Sequence, residues 1–173
     1  MKPICLDLPY PPLDCIGCDL QSARIIFPAY ATAHGELTAV LQYIYHSFRF
    51  GCLEDRQTAE TLAGIAVAEM RHFDILGEML LRLGVDPVYT TDLPGTPFNF
   101  YSASAVSYSK TPKKMLMDDL SGELCAVQTY GRMLSRLCNE DVAAVIARIK
   151  MDEELHVQVL KERMNALFCG GCC

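Results

Sequence analysis

Two Glu-x-x-His motifs carry the strongest chemical signal in the sequence. One joins Glu69 to His72, and the other joins Glu153 to His156. Because residues i and i+3 lie on one face of an α-helix, the carboxylate and the imidazole of each motif can reach the same point. Carboxylate and imidazole together are typical ligands of divalent transition metals. One such motif is a weak signal, but two motifs indicate a shared metal site.

Each motif has a partner in the segment that precedes it. Glu36 is followed seven residues later by Tyr43, and Glu123 is followed at the same spacing by Tyr130. The two glutamates lie 87 residues apart, and the two Glu-x-x-His motifs lie 84 residues apart. These nearly equal offsets predict an internal repeat of a helical hairpin.

Four amphipathic helices are predicted to position these residues. Apolar residues recur at three- and four-residue intervals in four segments, residues 28–50, 55–83, 111–138 and 139–168. Pro28 and Pro112 are expected in first helical turns, and Gly84 at a helix end.

Residues 84–110, rich in Pro, Gly, Ser, Thr and Tyr, predict a long connection. Two hairpins joined by one crossover predict an all-α, ferritin-like four-helix bundle. A plain up-down bundle with a loose loop is the alternative.

The glutamates and histidines are predicted to meet at one level of this bundle. Glu36 lies 15 residues before Gly51, and Glu69 lies 15 residues after Glu54. At a rise of about 1.5 Å per residue, antiparallel helices bring both glutamates to one height. Four buried carboxylates repel one another, and two divalent cations, manganese or iron, would neutralise them, as in di-iron and di-manganese bundles. The alternative is that the glutamates are solvated surface charges and the histidines are incidental.

The composition restricts the class of protein. The chain has 173 residues, of which 51% are hydrophobic, enough for one domain with a substantial core. The net charge of −6 disfavours nucleic acid as a partner. We expect no membrane span, because the longest apolar-rich stretch, residues 37–48, is too short. The proline-rich start does not resemble a secretory signal, so nine cysteines favour a reducing compartment, the cytoplasm.

Both ends of the chain are rich in cysteine. The predicted organisation is a Cys- and Pro-rich arm, the bundle and a short tail, over residues 1–24, 25–168 and 169–173. If the two ends meet, their Cys-x-x-Cys pairs form a four-thiolate zinc or iron site from Cys15, Cys18, Cys169 and Cys172. A redox dithiol, intersubunit disulfides and free thiols are the alternatives.

Several segments resemble one group of metal proteins. They are GELTAVLQYIY (35–45), AEMRH (68–72), GELCAVQTY (122–130) and DEELH (152–156), with a long loop before TPKKML (111–116). Over residues 28–168 the chain is similar to the ferritin-like di-metal superfamily. Within it, the chain most resembles the short manganese-catalase group, related to spore-coat manganese-catalase-like proteins. Ala126 stands where rubrerythrins, which have a similar core, carry another carboxylate.

The resemblance implies an oxidoreductase with two metal ions per chain, manganese favoured over iron. The implied ligands are Glu36, Glu69, His72, Glu123 and His156, with Glu153 as the sixth ligand by analogy with the iron proteins. In manganese catalases the counterpart of Glu153 looks like an acid that handles protons, and Tyr43 matches a tyrosine found behind the ligands of several families. Glu153 and Tyr43 are therefore the candidate catalytic residues.

The reaction implied by the resemblance is the disproportionation of hydrogen peroxide. One alternative is a di-iron, rubrerythrin-like peroxidase or ferroxidase. Another is a structural spore-coat or assembly protein that the metal site stabilises. The resemblance also implies a homo-oligomer and extends the expected location to the spore coat.

Overall fold

Five α-helices form most of the regular structure in this computed structural model, which describes residues 2–92 and 99–168. They are α1 (Leu20–Ile26), α2 (Glu36–Cys52), α3 (Arg56–Arg82), α4 (Pro112–Leu134) and α5 (Glu140–Phe168). Two 3-10 turns, Phe27–Ala29 and Ala103–Ala105, and an isolated bridge between Thr90 and Phe100 complete it within the described residues. The all-α prediction is confirmed. No described helix is both long and apolar enough to cross a membrane.

The four long helices form two hairpins. Helix α2 packs along α3, and α4 packs along α5. Further contacts join α2 to α4 and α3 to α5. In an up-down bundle, α3 and α4 would instead form a main interface, because consecutive helices are neighbours there. The observed pairing confirms the predicted two hairpins with a crossover between them.

Three of the long helices have clear end signals in the structure, two of which, Pro112 and Gly84, the sequence predicts. Asp55 accepts a hydrogen bond from the backbone N–H of Thr58 at 3.0 Å and caps α3. Pro112 occupies the first turn of α4. Backbone N–H groups in the first turn form no hydrogen bond within the helix, so proline, which has no N–H, is tolerated there. The side-chain oxygen of Asn139 accepts a backbone N–H in the first turn of α5. After α3, Gly84 has a φ of +90°, a conformation that glycine adopts without strain.

The first long helix begins later than predicted. The sequence predicts a helix from Pro28, but Pro28 lies in a 3-10 turn and α2 begins at Glu36. Just before α2, two segments of the backbone lie very close together. A Cβ on Gly35 would lie 2.8 Å from the carbonyl oxygens of both Ala29 and Tyr30. This close approach, which apolar periodicity does not reveal, requires glycine and sets the start of the helix.

The predicted irregular arm over residues 1–24 also contains helical structure. Its last residues belong to α1, which Asp19 caps by accepting the backbone N–H groups of Gln21 and Ser22, each at 3.1 Å. Ile25 and Ile26 of α1 are buried in the core. This short helix therefore packs into the bundle, and the division of the chain into arm, bundle and tail stays a prediction.

Two hydrophobic clusters fill the bundle, one on each side of a buried polar layer. One cluster includes Ile26 and Leu76, and the other includes Phe50 and Met115. Burial of apolar surface stabilises a fold by about 25 cal/mol per Å². The two clusters thus hold the four long helices together on either side of the polar layer, which contains the candidate site.

Candidate metal centre

The six predicted ligands converge in the buried layer between the two hydrophobic clusters. Each has at most 5% of its surface exposed. Ligand atoms lie within 4.8 Å of one another in two groups: Glu36, Glu69, His72 and Glu153 in the first, and Glu69, Glu123, Glu153 and His156 in the second. The alternative of solvated surface glutamates is wrong, because these carboxylates are buried.

Two glutamates lie between the two imidazoles. The Nδ1 atom of His72 lies 3.1 Å from Oε2 of Glu69 and 3.0 Å from Oε1 of Glu153. The Nδ1 atom of His156 lies 2.9 Å from Oε1 of Glu69 and 3.5 Å from Oε2 of Glu153. The two oxygens of each glutamate therefore face different histidines, which is the arrangement expected of carboxylates that bridge two metal positions.

The far nitrogen of each imidazole faces a hydrogen-bond acceptor. The Nε2 atom of His156 lies 2.7 Å from the carbonyl oxygen of Ile4, and the Nε2 atom of His72 lies 3.2 Å from Oδ2 of Asp152. A carbonyl and a carboxylate can only accept, so the hydrogen-bond network assigns a proton to each Nε2. Each Nδ1 is then available to a cation, as in metal-binding histidines whose tautomer is fixed by an acceptor.

Asp152 and Arg148 belong to the site although neither is a predicted ligand. Asp152 accepts hydrogen bonds from the Tyr10 hydroxyl at 2.6 Å and from the backbone N–H of Leu6 at 2.8 Å. Its Oδ2 atom lies 2.7 Å from Nη1 of Arg148. The Arg148 guanidinium also donates to the carbonyl oxygens of Leu6 and Leu8, each at 2.9 Å. The sequence signal for this pair is an oppositely charged couple four residues apart on one helix.

Two tyrosines form hydrogen bonds with the outer glutamates, which are the two that belong to one ligand group each, Glu36 and Glu123. The hydroxyl of Tyr43 donates to Glu123, and the hydroxyl of Tyr130 donates to Glu36. Each tyrosine therefore contacts the glutamate of the other hairpin, and the predicted repeat forms an approximate twofold arrangement. Burial, followed by the charge of these glutamates, raises the pKa of both tyrosines well above 10.0, so both remain neutral donors. These contacts give both tyrosines a role beyond packing in the core.

The outer glutamates have an environment that disfavours negative charge. Burial, followed by the charges of Glu69 and Glu153, raises the pKa of Glu36 well above its ordinary value of 4.5. The same two causes, with Glu153 ahead of Glu69, raise the pKa of Glu123. A nearby cation reverses this effect, because it stabilises the ionised carboxylate.

The two shared glutamates, Glu69 and Glu153, behave differently, because they and the histidines favour each other's charged forms. Burial alone would raise the pKa of Glu69, but His156 and His72 hold it well below 4.5. Burial and the charge of Glu69 would raise the pKa of Glu153, but the two histidines lower it below its ordinary value of 4.5. Burial would lower the pKa of each histidine, yet the carboxylates raise it well above 6.5. The layer therefore attracts positive charge, whether as protons or as metal ions.

The donor atoms of the layer fit metal ions. Among the described residues, Glu69 Oε1, Glu153 Oε1 and His156 Nδ1 are buried and form no hydrogen bond of acceptable geometry. Buried polar atoms are normally hydrogen-bonded, since an unsatisfied one costs about 1–3 kcal/mol. Carboxylate oxygens and imidazole nitrogens are ligands of both manganese and iron, and the ligand types do not distinguish between these metals. The arrangement can thus hold two metal ions side by side.

A cavity of about 520 Å³ gives access to the carboxylates. Its walls include both tyrosines and the four glutamates of the two ligand groups. Exposed residues, among them His34, Lys114 and Ser121, also line the cavity. Since these wall residues belong to α2, α4 and the segments before them, the cavity reaches the surface on this side of the bundle. A small polar molecule can enter it.

A second buried polar pair lies about one helical turn from the ligand groups. The Nδ1 atom of His46 lies 2.7 Å from Oδ1 of Asp119, and both side chains are buried. Gln42 donates to the same oxygen at 2.9 Å. Burial raises the pKa of Asp119, although His46 and Gln42 oppose the shift. His46 is not among the ligand groups, and its partner, 73 residues away in the chain, has no local sequence signal.

The predicted zinc or iron site of the two cysteine pairs is not supported. Cys15 and Cys18 are exposed free cysteines near the end of the bundle where Asp19 meets Asn139. The last described residue, Phe168, lies at the other end of the 29-residue α5. At about 1.5 Å per residue, that helix separates the two ends by roughly 43 Å. Cys169 and Cys172 lie outside the described residues.

Comparisons with known proteins agree with this architecture. Residues 31–165 match the family described as "Ferritin-like domain". The protein named "Probable manganese catalase" from Clostridium acetobutylicum is 26% identical over an alignment of 150 residues, and the match covers 77% of this chain and 65% of that relative. The chain thus spans slightly less than two thirds of its relative's length.

Solved structures show the same fold. Two crystal structures of KatB, a manganese catalase from Anabaena, superpose with TM-scores of 0.77 and 0.76 at 18% and 19% sequence identity. In both cases the match covers 94% of this chain and 79% of the KatB chain. At this identity the likeness establishes the fold. The chain therefore belongs to the ferritin-like domain family, and within that family it is similar to the manganese catalases.

Proposed function

We propose that this protein disproportionates hydrogen peroxide at a pair of manganese ions bound by the six buried ligands. The observation that carries the proposal is the sharing of Glu69 and Glu153 between two adjacent groups of ligand atoms. Two metal ions held side by side can together accept and donate two electrons, so that one peroxide is oxidised to oxygen and another is reduced to water. The likeness to manganese catalases supports manganese over iron.

The proposed ligands are two shared glutamates, two further glutamates and two histidines. Glu69 and Glu153 would hold both metal ions, because each belongs to both ligand groups. Glu36 and His72 would complete the set for one ion, and Glu123 and His156 would complete the set for the other. The four glutamates balance the four positive charges of two divalent ions, and the neutral histidines add no charge. The hydrophobic clusters on each side exclude water from the layer except through the cavity.

Glu153 is the proposed proton-transfer residue, and Tyr43 has a proposed supporting role. Glu153 lines the cavity, so this carboxylate would exchange protons with a molecule that enters there. Tyr43 donates to Glu123 and fixes the orientation of that carboxylate. Oxidation of peroxide to oxygen releases two protons and reduction to water consumes two, so a group that holds protons beside the cavity assists both steps.

Oxygen evolution tests the proposal directly. Protein freed of metal with a chelator and reloaded with Mn(II) should evolve oxygen from hydrogen peroxide without an added reductant. The metal-free protein and the Fe(II)-loaded protein are the controls, and elemental analysis gives the metal content of each. Full activity with less than one manganese or iron per chain would contradict the proposal.

The same preparations identify the alternatives. A di-iron peroxidase needs an electron donor to consume peroxide, and a ferroxidase consumes Fe(II) together with oxygen. A structural coat or assembly protein shows neither activity, yet its melting temperature falls when the metal is removed. The homo-oligomer and the cytoplasmic or spore-coat location stay predictions, which size-exclusion chromatography and fractionation of the native host test.

A further inference from the structure

The two halves of the internal repeat differ in the residues that stand behind the two histidines. The 84-residue offset that relates His72 to His156 also relates Ala68 to Asp152 and Gly64 to Arg148. Asp152 provides the acceptor for Nε2 of His72. Ala68 has no side-chain acceptor to provide the equivalent contact for His156, so another part of the chain must supply it.

The start of the chain supplies this missing acceptor. We call residues 2–10 the N-terminal strap. The carbonyl oxygen of Ile4 lies 2.7 Å from Nε2 of His156, while the backbone N–H of Ile4 donates to the carbonyl oxygen of Gly64 at 3.1 Å. A Cβ on Gly64 would lie 3.0 Å from Ile4 Cγ1 and 3.1 Å from the carbonyl oxygen of Lys2. The strap thus lies directly on the surface that the glycine leaves open.

The strap also holds the acceptor of the other histidine. Leu6 N–H and the Tyr10 hydroxyl donate to Asp152, at 2.8 Å and 2.6 Å. Arg148 joins the same carboxylate to the strap, because it pairs with Asp152 and donates to Leu6 and Leu8 carbonyl oxygens. Its guanidinium carbon also lies 4.5 Å from the centre of the Tyr10 ring. One continuous segment therefore stands behind both imidazoles.

We infer that the N-terminal strap is a positioning element of the metal centre and makes its two metal positions unequal. Behind His156 the acceptor is the neutral carbonyl of Ile4, whereas behind His72 it is the anionic carboxylate of Asp152. An anionic acceptor makes an imidazole a stronger metal ligand, and loss of such a partner typically lowers metal affinity 10- to 100-fold. The inference rests on the proposed function only in requiring metal ions at the six ligands.

Substitution of Gly64 tests the strap without deleting it. In Gly64→Leu the new side chain must displace Ile4 from the surface of α3, whereas Gly51→Leu in α2 is the matched control, because no atom lies within 4 Å of its added Cβ. We expect the Gly64 variant to lose one of its two Mn(II) ions to a chelator about tenfold faster or more, and the control to match the wild type. Gly64→Ala, which requires a shift of only tenths of an ångström, should fall between them.

A second variant addresses the other position. Asp152→Asn should weaken the metal bound through His72, and Co(II) loaded in place of Mn(II) should show a changed visible absorption spectrum in this variant and in Gly64→Ala. Far-UV circular dichroism monitors folding in each case. Unchanged metal loss and unchanged Co(II) spectra in Gly64→Ala and Asp152→Asn would overturn the inference and leave the proposed function intact. A wild-type chain that binds no Mn(II) would overturn both, whereas a chain that binds two ions without evolving oxygen would contradict only the catalase activity.

Discussion

The hydroxyl of Tyr43 donates a hydrogen bond to the carboxylate of Glu123 on the neighbouring helix α4. Tyr130 makes the reciprocal contact with Glu36 on α2. Since both glutamates are proposed metal ligands, each hairpin orients a ligand of the other. The proposed metal centre is thereby tied to the packing of α2 against α4 rather than to either hairpin alone.

Removal of either tyrosine hydroxyl should reduce activity more than metal content. In Tyr43→Phe the carboxylate of Glu123 loses a buried donor, and we expect oxygen evolution to fall about tenfold while two manganese ions remain bound. Tyr45→Phe is the matched control, because Tyr45 packs against Tyr108 away from the ligands. Loss of both metals in Tyr43→Phe, or wild-type activity, would contradict this role.

The two shared glutamates should be more important for metal binding than the two outer ones. Glu69 and Glu153 belong to both ligand groups, whereas Glu36 and Glu123 belong to one each. We therefore expect Glu69→Gln and Glu153→Gln to lose both metal ions, and Glu36→Gln to retain one. Elemental analysis after dialysis measures the content, with Glu78→Gln, an exposed position on α3, as the control. Two ions retained by Glu69→Gln would rule out bridging.

Asp152 should make the metal-free protein more stable at neutral pH than in acid. Burial would raise its pKa, but hydrogen bonds from His72, Tyr10 and Arg148 hold the pKa below its ordinary value of 3.8. A carboxylate with a lowered pKa in the folded state contributes stability above its unfolded pKa, and this stability is lost as the pH falls. Between about pH 5 and pH 3, the free energy of unfolding should therefore decline less steeply in Asp152→Asn than in the wild type.

Denaturant titrations of the chelator-treated protein at several pH values measure this slope. The exposed Asp7 provides the control, and Asp7→Asn should decline with pH as the wild type does. At neutral pH we expect Asp152→Asn to cost about 3 kcal/mol, because Arg148 loses its buried charged partner. Equal slopes in Asp152→Asn and the wild type would show that the strap contacts do not affect this carboxylate.

The buried pair of His46 and Asp119 should contribute to stability without binding metal. Asp119→Ala leaves the buried histidine without its partner, so we expect a loss of about 3 kcal/mol in the free energy of unfolding. The exposed pair of Arg71 and Asp74 is the comparison, since Asp74→Ala should cost less than about 1 kcal/mol. The metal content of both variants should equal that of the wild type. A metal loss in Asp119→Ala would place this pair in the metal centre.

The long helices and the ligand set could be predicted because their signals are local or repeat along the chain. Pro112 and Gly84 mark helix ends through their own backbone preferences, and the Glu-x-x-His spacing alone places a carboxylate and an imidazole on one helix face. The start of α2 could not be predicted in this way. It depends on the close approach of Gly35 to Ala29, which the folded chain creates.

By itself, the sequence determined the all-helical fold, the two hairpins and the six side chains that converge between them, since periodicity, capping residues and an internal repeat encode these features. Only the tertiary structure revealed which glutamates are shared, how the tyrosines cross between hairpins, and that Ile4 and Asp152 stand behind the histidines. These contacts join residues as far as 152 positions apart. No local spacing encodes such a contact, because it exists only once the strap and the four helices have packed together.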